Sequence, residues 1–532
     1  LVIASLLCWE GLSGPALMAQ TPKRIYLAND DHTDYMWTAD EATYRQAFLG
    51  MIDYYLAQAD RTAANPSPRQ GRFNMDGSFW LWEYEHNRTA ADFARVISRI
   101  KDGHLSVPLN PLVTVYGGMP AEAVLRAMYY AGQLERRFSF RIPLAIAMED
   151  QTHPYGLTGL WAGAGVKYSW KGVCGCVTRL PLAPLAQRDH EIYWMTGADG
   201  SRVLMKWNSL FGSNTSIGGY AEARDAASVV SFIDSNTTFT SRYPFGVAGA
   251  FGKGWDDLQT LDDQVLNAAV SQSNTSRQVY VSNQIDFFQD FETTYGAQLP
   301  SVGESYGNEW DLLVASMSEL SAGIKRALSK LRAAEAMATL VSLKSAAFMN
   351  GRQAARDKAM IDFGLYFEHD WTGDGPVPRT ARADWQRRIA AEINTYVDQL
   401  HSDAATALAG QVAMSGSNTR FFAFNPLGWS RTDIADVPNP ATGPVHVVDV
   451  STGVEVPSQV VTVAGQSRLQ VLASNIPAAS AAERAGRRRT RSTIAPHIRP
   501  SPSPRLRRPA SGMRSRSTLS PSRESSAGST VS

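Results

Sequence analysis

Cysteine is scarce in this 532-residue sequence, which contains only Cys8, Cys174 and Cys176. One residue separates Cys174 from Cys176, a spacing that suits neither an unstrained disulfide nor the common zinc motifs. This scarcity excludes a fold held together by disulfides, so buried hydrophobic residues have to stabilise the chain. They make up 44% of the sequence, and the length predicts two or three domains.

A surplus of positive charge is also missing from most of the chain, although the net charge is +1. Residues 484–532 contain twelve arginines, no lysine and a single acidic residue, Glu524. Removing these from the totals of 51 basic and 50 acidic residues leaves 39 basic and 49 acidic residues in the rest. An acidic body lacks the basic patch that binding of nucleic acid requires, so no nucleic-acid partner is expected.

The sequence has no apolar run long enough to span a bilayer, which predicts a protein without an integral membrane span. Residues 1–20 are apolar and end in small residues, as a secretory signal peptide does. We therefore expect the mature protein to be secreted or periplasmic.

The pattern of apolar residues divides the remaining chain into four regions. Residues 21–300 alternate short apolar runs with amphipathic stretches, which predicts an α/β domain with parallel strands in a barrel or a doubly wound sheet. Residues 301–412 have the long amphipathic periodicity of a helical bundle, and 413–480 contain the strands of a partial β-domain. Residues 481–532 form a basic segment almost without apolar periodicity, for which we expect disorder.

The first candidate cluster, NDDHTDYMW (29–37), follows the apolar strand that ends near Ala28. Side chains two residues apart in an extended segment project from the same face, so His32 and Asp34 can bind one metal ion. A salt bridge within a loop is the alternative. Active sites of barrel enzymes lie at the carboxyl ends of the strands, which favours the metal site.

The second cluster, AMEDQTHPYGL (147–157), again follows an apolar strand. Asp150 is the natural candidate because it lies where the strand opens into the loop. Glu149 and His153 are competing candidates, and the spacing alone does not separate the three.

The third cluster, FGLYFEHDWTGDG (363–375), is an apolar run that ends in Glu368, His369 and Asp370. Considered alone, a histidine beside a tryptophan is more often structural than functional.

The fourth cluster, AFGKGWDDLQT (250–260), is an apolar strand followed by a glycine-rich turn and the pair Asp256 and Asp257. These aspartates are candidate catalytic carboxyl groups, and the N-terminal cap of a helix is the alternative interpretation.

Together the clusters resemble glycoside hydrolase family 38, the α-mannosidases. That family begins its catalytic domain with His-x-Asp-x-x-Trp, continues with a strand ending in an aspartate, and places its last metal ligand in a D/E-H-x-W-G motif. The matching residues in this sequence are His32-Thr33-Asp34-Tyr35-Met36-Trp37, Met148-Glu149-Asp150 and Glu368-His369-Asp370-Trp371. Further matches are Gly118-Met119-Pro120 with Glu122 and Arg126, and Phe424-Asn425-Pro426-Leu427 with Trp429.

The resemblance implies a fold and a metal. We expect an α/β protein with a seven-stranded-type (β/α) barrel as the catalytic domain (21–300), followed by a helical bundle and a partial β-sandwich domain. We expect Zn²⁺ as the cofactor, with His32, Asp34, Asp150 and His369 as its ligands.

The resemblance also implies the catalytic roles. Asp150 would be the nucleophile as well as a zinc ligand, and Asp257 or its neighbour Asp256 would be the acid/base. Trp37 would stack against the sugar. The expected function is zinc-dependent, retaining hydrolysis of terminal α-mannosidic bonds in a mannose-containing glycan.

Two alternatives come from other classes. The first is a catalytically decayed, sugar-binding member of the family, because the C-terminal β-region is short. The second is a metal-dependent polysaccharide deacetylase, which would use a second His-x-x-x-His ligand pair that the sequence does not contain.

Overall fold

The computed structural model describes residues 22–149, 152–173, 188–208, 219, 221–254, 257–307, 309–371, 373–411, 418–478 and 480–488. The signal-peptide-like segment and the part of the predicted tail beyond Arg488 lie outside the described residues. The chain divides into two compact units. The described residues up to 411, with 421–433 and 473–483, belong to the larger one, and residues 418–420, 434–472 and 484–488 belong to the smaller one.

The strands of the larger unit are short and are separated by helices. They are β1 (Lys23–Ala28), β2 (Phe73–Asn74), β3 (Leu105–Ser106), β4 (Tyr168–Lys171), β5 (Ile192–Thr196), β6 (Arg202–Trp207), β7 (Val247–Phe251), β8 (Arg277–Val281) and β9 (Ser301–Val302).

The helices range from one and a half to nine turns. They are α1 (Glu41–Arg61), α2 (Phe79–Asn87), α3 (Ala90–Lys101), α4 (Ala121–Ala127), α5 (Tyr129–Phe138), α6 (Leu157–Ala164), α7 (Ala226–Ser235), α8 (Thr237–Arg242), α9 (Gln264–Ser271), α10 (Gln284–Tyr295), α11 (Ser318–Ser342), α12 (Gln353–Tyr366) and α13 (Arg379–Gly410).

Strand β1 lies at the centre of a parallel sheet in the order β7-β1-β8. Its residues Ile25 and Leu27 are completely buried, as expected for a strand covered on both faces. Ile25 pairs with Ala248 of β7 and with Val279 of β8. Because all three strands run in the same direction, the chain leaves β1 at the same edge of the sheet at which β7 and β8 end.

The sequence of the connecting helices explains where they begin. Helix α1 starts after Asp40, whose carboxylate accepts a hydrogen bond from the backbone N–H of Thr43. Helix α3 begins with a capping box, in which Thr89 and Asp92 satisfy each other's backbone N–H groups. These caps fix the points at which loops give way to helices.

The prediction of an α/β fold is confirmed. The described strands of the larger unit form several small sheets, namely β7-β1-β8, β2-β3 and β4-β6-β5-β9, and no closed barrel is present among them. Among the described residues, three hydrophobic clusters stabilise this unit. The largest lies among α1–α6 and α11–α13, and the second lies between the β7-β1-β8 sheet and helices α7–α10. The smallest includes Tyr193 of β5 and Trp207 of β6.

The strands after residue 418 are β10 (Thr419–Asn425), β11 (Arg431–Pro438), β12 (Val445–Asp449), β13 (Glu455–Val456), β14 (Ser458–Val463), β15 (Gln466–Ile476) and β16 (Ser480–Arg488). In the smaller unit, β12 pairs with β13 and β16, and β14 pairs with β15, always antiparallel. No helix in the described part of the chain combines the length and the apolar character that a membrane span requires.

Candidate metal centre

Four buried side chains from three distant segments converge in the larger unit. His32, Asp34, Glu149 and His369 each offer one ligand atom, and these atoms all lie within 4.8 Å of one another. All four side chains are at most 5% exposed. Two imidazoles and two carboxylates at this separation form a set of donors that can surround a single cation.

The Nε2 atoms of both histidines face the two carboxylates. Nε2 of His32 lies 3.2 Å from Oδ1 of Asp34 and 3.7 Å from Oε1 of Glu149. Nε2 of His369 lies 3.4 Å from Oδ1 of Asp34 and 3.0 Å from Oε2 of Glu149. The side chains therefore enclose one common point.

The loop after β1 positions His32 and Asp34. Strand β1 ends at Ala28, and the chain turns at Asp34, whose carbonyl accepts hydrogen bonds from the N–H groups of Trp37 (3.0 Å) and Thr38 (3.1 Å). The left-handed conformation of Met36, with φ of 64°, closes this turn.

Glu149 is also in the left-handed region, with φ of 53°. Only a few per cent of residues other than glycine adopt this conformation, and in folded proteins it concentrates at functional sites. The preceding residues Ala147 and Met148 are completely buried. Their burial fixes the end of the segment that presents the Glu149 carboxylate to the histidines.

His369 follows α12, and the end of that helix packs closely against Pro111. A Cβ atom on Gly364 would lie only 2.2 Å from Cγ of Pro111, so the approach requires glycine. The backbone N–H of His369 donates to the carbonyl of Val113 (3.1 Å). This contact anchors His369 beside the end of a neighbouring extended segment.

Two further buried carboxylates lie behind the histidines. Oδ2 of Asp76 lies 3.5 Å from Nδ1 of His32, and Oε1 of Glu368 lies 2.6 Å from Nδ1 of His369. In many metalloproteins a carboxylate faces the ring nitrogen that does not bind the metal. The arrangement here leaves Nε2 as the inward-facing nitrogen of both rings.

The electrostatics of the cluster favour a cation. Burial alone would lower the pKa of His32, but Asp34, Asp76 and Glu149 outweigh it and hold that pKa well above its ordinary value. The pKa of His369 is likewise raised well above its ordinary value, because Asp370, Glu368 and Glu149 outweigh the effect of burial.

Two further observations indicate that the four side chains fit a bound metal: buried oxygen atoms without a hydrogen bond, and a surplus of carboxyl groups. Among the described residues, Oδ2 of Asp34 and Oε2 of Glu149 are buried and accept no hydrogen bond. The carboxyl groups at the site outnumber the basic groups even if both histidines are protonated. The acidic residues are Asp34, Asp76, Glu149, Glu368 and Asp370, and the basic residues are His32, His369 and Arg382. A cation would offset this surplus of carboxyl groups, and the two imidazoles with two carboxylates suit zinc.

We expect removal of the metal to destabilise the protein more at high pH than at low pH. In the metal-free protein the raised pKa values of His32 and His369 contribute stability that is complete below about pH 6.5. That contribution to the stability of the metal-free protein is lost as the pH rises through the folded-state pKa values. Zinc binding, in contrast, becomes stronger over this range, because zinc binds the neutral form of the imidazole. The difference in Tm between zinc-loaded and chelator-treated protein should therefore grow between about pH 6 and pH 9.

The H369A variant is the control for this pH dependence, because it lacks one of the two histidines. For H369A, the difference in Tm between zinc-loaded and chelator-treated protein should be small and should change little with pH. A wild-type difference that is constant or shrinks as the pH rises would contradict the proposed electrostatics.

The remaining predicted site residues have different outcomes. Asp150 and Asp256 lie outside the described residues. Asp257 is partly exposed, and its Oδ2 accepts a hydrogen bond from Nη1 of Arg224 (2.7 Å) in a pocket of about 350 Å³. The structure does not place Asp257 in the four-residue cluster, and its catalytic role stays a prediction.

Trp37 is partly exposed in the turn that follows His32 and Asp34, and its backbone carbonyl accepts a hydrogen bond from the N–H of Val377 (3.0 Å). A Cβ atom on Gly375 would lie 2.5 Å from the indole ring, so the glycine-containing loop lies directly against it.

His153, one of the competing candidates, is buried, and its Nε2 lies 3.1 Å from Oγ1 of Thr158. Burial and the charge of Lys171 lower the pKa of His153 to about 3, so this ring is neutral. It does not belong to the four-residue cluster.

Sequence reasoning missed Asp76 completely and named Glu149 only as a competitor. Asp76 follows β2, as His32 follows β1, so its position after a strand was an available signal. Strand β2 has only two residues, however, and the apolar run around it is too short to mark where the strand ends.

The fold defined by this structure is that of the glycoside hydrolase family 38 α-mannosidases. An α-mannosidase from Enterococcus faecalis V583 matches with a TM-score of 0.63 and 15% identity, over 87% of this chain and 56% of that one. A glycosyl hydrolase family 38 protein from Enterococcus faecalis matches with a TM-score of 0.59 and 14% identity, over 88% of this chain and 54% of that one.

The resemblance predicted from the sequence motifs is thus confirmed at the level of the fold. The chain spans little more than half the length of these two structures. No protein-family model matches the sequence. No curated protein sequence matches it either.

Proposed function

We propose that this protein is a zinc-dependent retaining glycoside hydrolase that cleaves terminal α-mannosidic bonds of a mannose-containing glycan. The observation that carries the proposal is the buried cluster of two histidines and two carboxylates. It occurs on a fold shared with an α-mannosidase, and three of its four residues, His32, Asp34 and His369, belong to the His-x-Asp and Glu-His motifs.

His32, Asp34 and His369 would hold the metal, together with Glu149, Asp150 or both. When bound, zinc would supply a Lewis acid that orients and polarises hydroxyl groups of the sugar. The partly exposed indole of Trp37 lies three residues from Asp34 and would offer a flat apolar face for the sugar ring.

Asp150 would carry out the first chemical step. Its carboxylate attacks the anomeric carbon, the glycosidic C–O bond breaks, and an acid donates a proton to the departing oxygen. In the second step the same acid/base removes a proton from water, which attacks the anomeric carbon and releases Asp150. Two inversions at one carbon give net retention of configuration.

Asp257 or Asp256 would be this acid/base. The Asp257 side chain is 38% exposed, so it can exchange its proton with solvent between the two steps. A retaining mechanism requires the nucleophile and the acid/base to lie about 5–5.5 Å apart.

The choice between Asp256 and Asp257 can be tested with two leaving groups. An activated aryl oxygen departs without a proton, whereas an alkyl oxygen requires one. Loss of the acid should therefore slow hydrolysis of an alkyl mannoside by roughly 10²–10⁴-fold and slow cleavage of a dinitrophenyl mannoside much less.

We expect this asymmetry in D257N, with D256N as the matched control. The same asymmetry in D256N alone would assign the acid to Asp256. Equal effects on both substrates in both variants would contradict either assignment.

We also infer that the small sheets of the larger unit belong to the predicted seven-stranded-type barrel. Parallel bridges support this inference, because Asp30 pairs with Asn74 and Leu144 pairs with Tyr168. In addition, the N–H of Leu109 donates to the carbonyl of Leu144 (2.8 Å). These contacts link the segments of β1, β2, β3 and β4 one to the next, as neighbouring strands of a barrel would be linked.

The proposed function is tested by hydrolysis of an aryl α-mannoside before and after treatment with a chelator. We expect turnover that is lost with the metal, regained with zinc and accompanied by release of α-mannose, with an aryl α-glucoside as the control substrate. Turnover that survives complete removal of the metal would contradict zinc dependence. Binding of mannoside without turnover would identify a sugar-binding protein instead.

A further inference from the structure

The two oxygens of the buried Glu368 carboxylate have different neighbours. Oε2 accepts hydrogen bonds from Nη2 of Arg382 and from the backbone N–H of Asp370 (3.2 Å). Oε1 points the other way and lies 2.6 Å from Nδ1 of His369. Glu368 thus connects an arginine on one side to a histidine of the metal cluster on the other.

Arg382 holds this arrangement from the first turn of helix α13. Its side chain is almost completely buried, and Nη1 donates to the carbonyl oxygen of Tyr35 (2.5 Å). Tyr35 directly follows Asp34 and Glu368 directly precedes His369, so one guanidinium contacts two of the three segments that carry the cluster. Helix α13 is thereby connected to the loop that follows β1.

We propose that Glu368, oriented by Arg382, is a positioning residue that fixes the tautomer of His369. Arginine has only donors, so it binds an acceptor oxygen and leaves the other oxygen of Glu368 for Nδ1 of His369. A proton on Nδ1 leaves the lone pair of the neutral ring on Nε2. Nε2 is the atom that faces Asp34 and Glu149, so the ring is prepared to bind a metal.

The inference rests on the metal-binding part of the proposed function and is independent of the hydrolysis. It is therefore tested with Zn²⁺ itself, by competition against a chromophoric chelator.

The E368Q variant gives the sharpest test because glutamine has one acceptor and one donor group. Arg382 and the N–H of Asp370 both require the acceptor, so the glutamine must turn its NH₂ group toward Nδ1 of His369. That forces the proton of His369 onto Nε2, where it blocks metal binding. We expect zinc affinity to fall by roughly 10–100-fold.

The D76N variant is the matched control at the other histidine. Oδ2 of Asp76 lies 3.5 Å from Nδ1 of His32 and also accepts from the N–H of Thr33 (3.0 Å). A single amide oxygen can face both donors, so asparagine does not force the other tautomer. We expect D76N to lose clearly less zinc affinity than E368Q.

The tautomer is read directly from the ¹⁵N shifts of the histidine side chains in metal-free protein, at a pH above the raised folded-state pKa of His369, where the ring is neutral. We expect His369 to carry its proton on Nδ1 in the wild type and on Nε2 in E368Q. Wild-type zinc affinity in E368Q, or an unchanged His369 tautomer, would overturn the inference.

Arg382 is tested separately, which also covers a failure of E368Q to fold. The R382M variant leaves Glu368 without its cation and should lower zinc affinity. The control is R379M, since Arg379 lies in the same turn of α13 but is exposed and pairs with the exposed Asp374. Equal zinc affinities in the two variants would contradict the role of Arg382. A zinc-binding wild type without mannosidase activity would contradict the proposed function and leave this inference standing.

Discussion

Replacing Asp150 by asparagine is expected to lower kcat for an aryl α-mannoside by roughly 10⁴-fold or more, as loss of a nucleophile does in other hydrolases. The amide cannot form the glycosyl-enzyme ester, and no other group supplies an equivalent covalent step. The measurement is turnover at saturating zinc, so that any loss of metal affinity does not contribute. Far-ultraviolet circular dichroism should show an unchanged fold.

The neighbouring Glu149 provides the control for this substitution. Its carboxylate lies 3.0 Å from Nε2 of His369, so E149Q should weaken zinc binding. Turnover of E149Q should nevertheless recover at saturating zinc, whereas turnover of D150N should not. The opposite result, with D150N active and E149Q inactive at saturating zinc, would make Glu149 the nucleophile.

The H369A variant is expected to weaken zinc binding by roughly 10²–10³-fold. Apparent binding free energies of zinc sites are about 10–16 kcal/mol, so one of four ligands contributes about 3–4 kcal/mol. Each 1.4 kcal/mol corresponds to a factor of ten. Hydrolysis should fall with metal occupancy and should recover in part when zinc is added in large excess.

The control is H86A, because His86 is an exposed residue of α2, with Nδ1 2.8 Å from the carbonyl oxygen of Trp82. It should bind zinc as the wild type does. Full metal occupancy in H369A after dialysis would place the metal at a different set of ligands.

Much of the metal centre could be predicted from the sequence because the signal is local. His32 and Asp34 directly follow a strand whose apolar residues are obvious, and two residues of spacing put both side chains on one face. His369 could be assigned only through the family motif, since nothing in the local pattern brings it to the other two.

The two adjacent acids of the second cluster, Glu149 and Asp150, show what cannot be predicted from the local sequence pattern. Periodicity identifies the end of the apolar run but not which of Glu149 and Asp150 turns inward. In the structure the left-handed conformation of Glu149 determines the direction of its side chain, and the sequence gives no sign of that conformation, because the residue is not glycine.

Helix α12 lies within the predicted helical region 301–412, but the sequence did not identify it as a separate helix, for a different physical reason. Its last eight residues, 359–366, are all buried, so the segment has apolar residues on every face. A helix in such surroundings has no 3.6-residue alternation of apolar and polar residues and cannot be distinguished from a buried strand. The role of Arg382 could not be predicted from the local sequence either. It depends on contacts of its buried guanidinium with Tyr35 and Glu368, which the sequence pattern around Arg382 does not indicate.

The most direct test of the central claim is X-ray absorption spectroscopy of the zinc-loaded wild-type protein. Convergence of His32, Asp34, His369 and the carboxylates of the second segment on one ion predicts two imidazole nitrogens and carboxylate oxygens at about 2.0–2.2 Å. The second shell should contain the outer atoms of two imidazole rings, and of only one ring in H369A. A spectrum with sulfur ligands, or with two rings still present in H369A, would contradict the account.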